Sequence, residues 1–167
     1  MRHAGAVQTT PDVRLREAVP TDAFSVGALH IQAEREQGRV PPPGFLDRFA
    51  DAWLRDRARR TWVAEESAGR PVGAVHGTRV QGLPGTDGPA PVWFHVGFLY
   101  VAADRRGQGV GERLLRALVG WAAADGVTCL RLDTVPEAAT LLARVGFEAP
   151  SAPCAELRLT RSPGRTA

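Results

Sequence analysis

Two kinds of hydrophobic spacing divide the chain into strand-like and helix-like segments. Polar and apolar positions alternate in residues 13–16, and β-rich runs at 61–65 and 72–80 predict two further strands. Residues 92–101 form the longest such run, and both of its alternating sets are largely apolar. A strand with two apolar faces is covered on both sides, so we expect this run to lie at the centre of a sheet.

Apolar positions three or four residues apart predict helices between these strands. Thr21 is the expected N-cap of the first helix, and the Gly- and Pro-rich residues 38–43 end it. Residues 136–145 predict the last helix. Two helices in between are marked by apolar stripes, at Phe45, Phe49 and Trp53 and at Val110, Leu114, Leu118 and Ala122.

The predicted order of elements is β-α-α-β-β-β-α-β-α-β. A short strand is expected at residues 129–134, and Phe147 with residues 155–159 supplies the final one. No internal repeat is visible, and the length suits one core. We therefore expect one domain over residues 13–160, a flexible lead at residues 1–12 and a flexible tail at residues 161–167.

Residues 104–111 lie between the longest predicted strand and the helix that follows it, and they read Asp-Arg-Arg-Gly-Gln-Gly-Val-Gly. Glycine lets the backbone turn its N–H groups toward a ligand. At the start of a helix these groups join the positive end of the helix dipole, which favours a phosphate. Arg106 adds a cation that stays charged. The segment therefore predicts an anion cradle for a phosphate or diphosphate.

Three kinds of phosphate-binding motif compete for this segment. A P-loop requires a lysine, and the chain has none, so a P-loop NTPase is excluded. A dinucleotide fingerprint requires Gly-x-Gly-x-x-Gly. Here a single residue separates Gly107 from Gly109 and Gly109 from Gly111, so the spacing is Gly-x-Gly-x-Gly. The third motif is Arg or Gln, two residues, Gly, one residue, then Gly or Ala, and residues 106–111 match it in full.

This third motif is the diphosphate-binding signature of the GCN5-related N-acetyltransferase (GNAT) superfamily, which the chain resembles over roughly residues 13–159. Residues 99–101, Leu-Tyr-Val, are similar to the family's fourth strand, and residues 145–147, Val-Gly-Phe, to its exit from the last helix. The resemblance implies a single α/β (α+β) domain. Its sheet would be mixed and mostly antiparallel, with helices on both faces.

The resemblance also implies acetyl-CoA as cosubstrate and a primary amine as acceptor, joined by direct attack in a ternary complex. The acceptor would be a small molecule or a peptide, and the loops at residues 38–43 and 81–91 favour a compact one. In the family, the fourth strand splays from the fifth, which leaves strand amides free for pantetheine and the thioester carbonyl. The residues implied in acetyl-CoA binding are Leu99, Tyr100, Val101, Arg106, Gly107, Gln108, Gly109, Val110 and Gly111.

An attacking amine must lose a proton, since a lysine-like amine has a pKa near ~10.4. Some family members carry a glutamate four residues before the fourth-strand tripeptide, and His95 occupies that place here. An imidazole, with a pKa near ~6.5, accepts a proton at neutral pH. His95 is therefore the candidate general base, on a predicted shared face with Leu99 and Val101, and a packed structural histidine is the alternative. His76, on the adjacent strand, is the second candidate.

Other polar residues receive structural interpretations. Glu65 and Glu66 are expected at a solvated strand end, and His30 on a helix surface, with the border of the acceptor site as the alternative for His30. Many relatives place a tyrosine where this chain has Leu142 and an asparagine where it has Val135, so no general acid is assigned. This departure leaves a second hypothesis open, a domain that binds acyl-CoA without turnover.

Composition narrows the setting. The 167 residues are 44% hydrophobic and 23% charged, with no apolar run of membrane-spanning length and no apolar core near the start, so we expect a cytoplasmic protein. Cys129 and Cys154 are too few for a disulfide framework and are expected to be small buried residues. The net charge of +3 is modest, and the arginines of residues 55–60, which we place at a helix end, lack interleaved aromatic residues. We expect no nucleic-acid, membrane or metal partner. Homodimers are common in the family, but nothing in these residues selects one.

Overall fold

The computed structural model describes residues 13–86, 88–133 and 136–150, and five strands of this part form one sheet. The strands lie across the sheet in chain order, antiparallel from the first to the fourth, with the fifth parallel to the fourth. They are β1 (Val13–Glu17), β2 (Arg59–Glu66), β3 (Pro71–Gln81), β4 (Val92–Val101) and β5 (Cys129–Leu132). The predicted fold class is confirmed.

Four α-helices cover the two faces of this sheet. The pair α1 (Ala23–Glu36) and α2 (Phe45–Arg55) lies on one face, and α3 (Val110–Ala124) and α4 (Ala139–Val145) lie on the other. The arginines of residues 55–60 were all placed at a helix end, yet α2 stops at Arg55 and Arg59 already belongs to β2.

The larger core lies between the sheet and α3. The predicted stripe of α3 is buried in full, and Phe94 of β4 is fully buried against it. Burial of each such leucine or phenylalanine side chain contributes about 1.5–3 kcal/mol. The smaller core, under α1, is built around Val26 and Leu29. The sheet and its two cores hold the end of β4 in a fixed position.

Three local predictions are wrong. Thr21 is exposed and caps nothing, because the chain enters α1 through a 3₁₀ turn in which the Asp22 carboxylate accepts the N–H of Val19 at 2.7 Å. Cys129 is exposed, because its side chain shares a face with that of Trp93, away from α3. Phe147 packs on the larger core without forming a strand. Outside the described residues lie Cys154, the predicted strand at 155–159 and the segments 1–12 and 161–167.

A β-bulge interrupts the pairing of β3 with β4. His76 pairs with Phe98, but the next residue, Gly77, pairs with Val96, so Gly97 is an extra residue without a partner in β3. Gly77 permits this close approach, since a Cβ atom there would stand 2.1 Å from the backbone oxygen of His95. A bulge bends its strand and re-aims the side chains on either side.

Gly77→Ala should therefore lower the free energy of unfolding by about 3 kcal/mol or more, since backbone atoms must shift to admit the methyl group. The matched control is Gly97→Ala. A Cβ atom at Gly97 meets nothing within 4 Å and the residue has no positive φ, so we expect a change below about 1 kcal/mol. Urea denaturation of the two variants measures both values, and equal effects would contradict the bulge.

Candidate active site

The candidate site begins where β4 and β5 separate. The two strands pair over four residue pairs and their pairing ends at Val96 and Leu132. Residues 97–101 then have β3 on one side and, within the described part of the chain, no strand on the other. An opening therefore forms between the end of β4 and the segment after β5.

Backbone groups of β4 line this opening. Successive strand residues direct their N–H and C=O groups to opposite edges. The N–H of Ala102 bonds the carbonyl of Val72 in β3 at 2.8 Å, so the backbone groups of Leu99 and Val101 point the other way, into the opening. Two of the three predicted fourth-strand residues thus direct N–H donors there that have no acceptor among the described residues.

The bulge at Gly97 corrects the predicted orientation of His95. Side chains alternate regularly on each side of the bulge, but the extra residue reverses their phase. Leu99 and Val101 pack toward α3, whereas Phe98 belongs to the face covered by α1. His95 lies on the Phe98 face, so the prediction that it shares a face with Leu99 and Val101 is wrong.

The glycine loop that follows β4 forms an open turn at the start of α3. Gly107 and Gly109 have φ values of +73° and +77°, which favour glycine, and nothing lies within 4 Å of the Cβ position at either. Val110 begins α3. Across the described residues, the backbone N–H groups of residues 107–112 find no acceptor. Unpaired donors at a helix N-terminus with free space in front of them suit a diphosphate.

Two neighbours of these glycines brace the loop. The side-chain amide of Gln108 donates to the carbonyl oxygen of Asp104 at 3.1 Å. Gly111 lets the helices approach, since a Cβ atom there would stand 3.2 Å from Leu141 of α4. The Gln108 side chain and the absence of a side chain at Gly111 therefore set the shape of the loop, and the contact of these two residues with acetyl-CoA stays a prediction.

Arg106 is already engaged by the protein. Its Nε donates to the carbonyl oxygen of Val101 at 2.9 Å, its guanidinium pairs with the carboxylate of Glu36, and it lies 5.5 Å from the Tyr100 ring centre. Glu36 is the last residue of α1, so Arg106 ties that helix to the edge of the opening. Arg106 is therefore paired with a carboxylate in this structure, and its contact with the diphosphate stays a prediction.

Tyr100, the single tyrosine of the sequence, also bonds Glu36. Its hydroxyl donates to a Glu36 carboxylate oxygen at 2.6 Å. Burial, together with this hydrogen bond, raises the pKa of Tyr100 to about 12. The hydrogen bonds from Tyr100 and Arg106 in turn lower the pKa of Glu36. Tyr100 therefore holds its proton firmly, which argues against its use as a general acid.

Glu66 anchors the start of the loop. Its carboxylate pairs with Arg105 and with Arg70, and Arg70 also pairs with Asp104 at 3.0 Å. Hydrogen bonds from Arg70 and Arg105 lower the pKa of Glu66 to about 2. Glu66 was expected to be a solvated strand end, but it connects the turn between β2 and β3 to the loop. Glu65 is likewise paired, with Arg16 at 2.9 Å.

His30 and His76 form a partly buried pair beside the bulge. Their Nε2 atoms lie 2.9 Å apart. The His30 ring stacks on that of Phe98 with ring centres 3.6 Å apart, and its centre lies 4.9 Å from the centre of the Phe49 ring. Burial lowers the pKa of His30 to about 4 and that of His76 to about 3. His30 was predicted on a helix surface, but it faces the sheet because the aromatic residues of α2 and β4 enclose it.

His95 stands in different surroundings. Half of its side chain is exposed, and its Nε2 lies 3.9 Å from the carboxylate of Asp133. Arg131 is its register partner on β5, and the Arg131 guanidinium stacks 4.4 Å above the Trp93 ring. These four side chains lie where β4 and β5 separate, on the face away from α3.

The positions that carry tyrosine and asparagine in many relatives differ in their status. Leu142 is buried in the larger core, on the inner side of α4, and supplies no proton. Val135 lies outside the described residues. Among the residues that the structure describes, no group of three or more His, Cys, Asp or Glu side chains is arranged to hold a metal ion. The described helices also include none with the length and apolar character needed to cross a bilayer.

Sequence reasoning missed Glu36, Trp93, Arg131 and Asp133. Glu36 lies 70 residues from Arg106, and no local pattern connects them. A weak signal existed for Arg131 and Asp133, since both are charged residues at alternate positions of a short predicted strand and so share one face.

Comparison with known proteins agrees with this geometry. Residues 27–147, more than half of the chain, match the acetyltransferase (GNAT) family. The chain therefore belongs to the GNAT acetyltransferase family, as the glycine motif indicated.

Solved structures show the same fold at low sequence identity. A predicted acetyltransferase from Clostridium acetobutylicum, solved with acetyl-CoA, has a TM-score of 0.74 and 16% identity, covering 88% of this chain and 96% of that one. A ribosomal-protein-alanine N-acetyltransferase from Brucella melitensis biovar Abortus 2308 has a TM-score of 0.69 and 24% identity, with coverages of 89% and 100%. Glucosamine-6-phosphate N-acetyltransferase from Arabidopsis thaliana has a TM-score of 0.69 and 15% identity, with coverages of 87% and 98%.

The partly buried histidine pair gives a testable dependence of stability on pH. Both pKa values are lowered in the folded protein, so the unfolded chain binds more protons once the pH falls below about 6.5. The free energy of unfolding should therefore fall as the pH is lowered from about 6.5 toward 4. The double variant His30→Gln/His76→Gln should show a flatter slope in that window by urea denaturation, and an unchanged slope would contradict the assignment.

Proposed function

We propose that this protein transfers the acetyl group of acetyl-CoA to a primary amine of a small molecule or peptide, by direct attack in a ternary complex. One observation carries the proposal. The unpaired edge of β4 runs directly into a loop whose N–H groups, at residues 107–112, have no acceptor among the described residues. Together the two segments offer several N–H donors to one extended ligand.

The loop suits the diphosphate of the cosubstrate. The backbone amides of residues 107–112 and the positive end of α3 supply donors and a favourable dipole. The free space at Gly107 and Gly109 admits the phosphate groups. Arg106 is near enough to contribute its charge if it exchanges Glu36 for phosphate.

The open edge suits the pantetheine arm and the thioester. The N–H groups of Leu99 and Val101 are free to bond amide carbonyls of an extended ligand, as a neighbouring strand would. An N–H donor aimed at the carbonyl oxygen stabilises the negative charge that develops there during attack. Such a donor contributes roughly 2.7–4 kcal/mol in other enzymes with an oxyanion hole.

His95 is the residue we assign as general base. The amine nitrogen attacks the thioester carbon, a C–N bond forms, and the C–S bond breaks to release CoA as a thiolate. The excess proton of the amine passes to His95, directly or through one water. His95 lies half exposed beside the opening, with its Nε2 3.9 Å from the Asp133 carboxylate.

His76, the second candidate base, is less suited to this role in the structure than the sequence suggested. Its imidazole is partly buried against His30 and Phe98, and its lowered pKa of about 3 makes it a weak base. We assign the His30–His76 pair to the wall of the acceptor side of the opening.

The departing thiolate needs no dedicated acid. A thiol of pKa ~8.5 leaves tolerably as its anion, and solvent then protonates it. The buried Leu142 and the firmly protonated Tyr100 nevertheless favour a second candidate function, a domain that binds acyl-CoA without turnover.

Binding of CoA can be tested by thermal unfolding. At about 100 times its Kd, CoA should raise the Tm by about 5 °C or more. Gly109→Trp should remove that rise, because the side chain enters the space before the N–H groups. The matched control is Gly126→Trp, at a residue with a similarly positive φ of +72° and equally open surroundings at the other end of α3. Retention of the full rise by Gly109→Trp would refute the cradle.

The role of His95 as general base can be tested by measuring turnover. His95→Ala should lower kcat by about 10²–10⁴-fold while the rise in Tm with CoA persists, because proton acceptance contributes to the reaction and not to donor binding. Added imidazole should restore part of the rate to this variant. Cys129→Ala, on the same exposed face, serves as the control and should keep its activity. Full activity of His95→Ala, with CoA still bound, would remove His95 from the mechanism.

A further inference from the structure

Arg131 is an exposed arginine held in one orientation by a ring. Its guanidinium lies 4.4 Å from the centre of the Trp93 ring, on the face of the sheet away from α3. Most arginines of the described segments pair with a carboxylate, but Arg131 has no such partner among these residues. The stack fixes this charge without neutralising it.

The position of Arg131 relates it to the proposed base. Arg131 and His95 are register partners on β5 and β4, so their backbones are about 4.8 Å apart and their side chains leave the same face. The pairing of the two strands ends at the next residue pair, Val96 and Leu132. An acceptor whose amine reaches His95 from this face therefore has Arg131 beside it.

The site around His95 carries both signs of charge. The Asp133 carboxylate is almost fully exposed and lies 3.9 Å from the imidazole, and Arg131 is the register partner of His95 on β5. A stacked guanidinium keeps its in-plane N–H donors free, and those donors match the two oxygens of a carboxylate or phosphate. The arrangement is complementary to a molecule that is cationic at one end and anionic at the other.

We infer that the acceptor is a primary amine that also carries an oxyanion, a carboxylate or a phosphate, and that Arg131 binds this oxyanion and selects for it. Asp133 attracts the ammonium form of the amine, and His95 removes the proton before attack. This inference rests on the proposed function, since it assigns the acceptor of that same site.

The test uses two pairs of amines that differ only in the anion. The carboxylate arm compares β-alanine with β-alaninamide, and the phosphate arm compares O-phosphoethanolamine with ethanolamine. Each probe is titrated into the full-length protein, with and without CoA, while the NMR signals of the Trp93 indole N–H and the Arg131 Nε–H are followed. At least one anionic probe should shift both signals in a saturable manner, and its neutral partner should bind at least about tenfold more weakly.

Two variants make the result specific. Arg131→Gln should weaken binding of the anionic probe about tenfold or more and bring it close to that of the neutral probe. Arg79→Gln is the matched control, because Arg79 is an exposed arginine of β3 that pairs with Asp125 at the end of α3, on the other face. It should bind the anionic probe as the unmodified protein does.

The outcomes separate the two proposals. Equal binding of anionic and neutral probes, no saturable shift with either anion, or unchanged selectivity in Arg131→Gln would each overturn the inference. None of these results affects the rise in Tm with CoA, whose absence would count against the proposed function alone. The titration without CoA reports on Arg131 even in that case. The two arms decide whether the oxyanion is a carboxylate or a phosphate.

Discussion

Beyond Val96, β4 keeps its hydrogen bonds to β3 and loses those to β5, and the extra residue Gly97 marks the point of separation. This one irregularity creates the two features on which the site depends. It leaves the N–H groups of Leu99 and Val101 facing an opening, and it reverses the side-chain phase so that His95 leaves the face opposite α3. Without the extra residue, His95 would share a face with Leu99 and Val101. The close approach at Gly77, which only a residue without a Cβ atom permits, is therefore a condition of the site as well as of the fold.

Most of the fold could be predicted because its signals are local. The α3 stripe follows from apolar residues four apart. The loop follows from the glycines at 107 and 109, since few other residues adopt the positive φ values found there. The order of elements then restricts the topology strongly. The bulge could not be placed by the same reasoning. Both alternating sets of residues 92–101 are apolar, so the pattern does not indicate which set faces which side of the sheet. The isolated glycines at 77 and 97, one in each of two neighbouring strands, were the available signal.

The ion pairs of the site could not be predicted from the sequence for a different reason. Glu36 and Arg106 are 70 residues apart, and Glu66 and Arg105 are 39 apart, so their pairing depends on the assembled fold. All basic side chains of this chain other than histidine are arginines, and each guanidinium can join several oxygens at once. The result is a loop fastened at two neighbouring residues before its glycines, where Arg105 pairs with Glu66 and Arg106 donates to the carbonyl of Val101. Such fastening holds the free N–H groups of the loop in position before a ligand arrives, which lowers the entropy lost on binding.

The contrast between the two kinds of histidine shows how burial divides their roles. His30 and His76 are enclosed by aromatic rings, and their hydrogen bond requires one Nε2 atom to donate and the other to accept. Adding a proton to that pair would place a charge in an apolar setting, which the lowered pKa values express. A base that serves in every turnover must also return its proton to water, and the enclosed pair has poor access to solvent. His95 meets both requirements, because its ring is half exposed and a carboxylate stands beside it. Since both kinds of histidine lie on the same face of the sheet, the partly buried pair can give that face its shape while the exposed residue carries the proton.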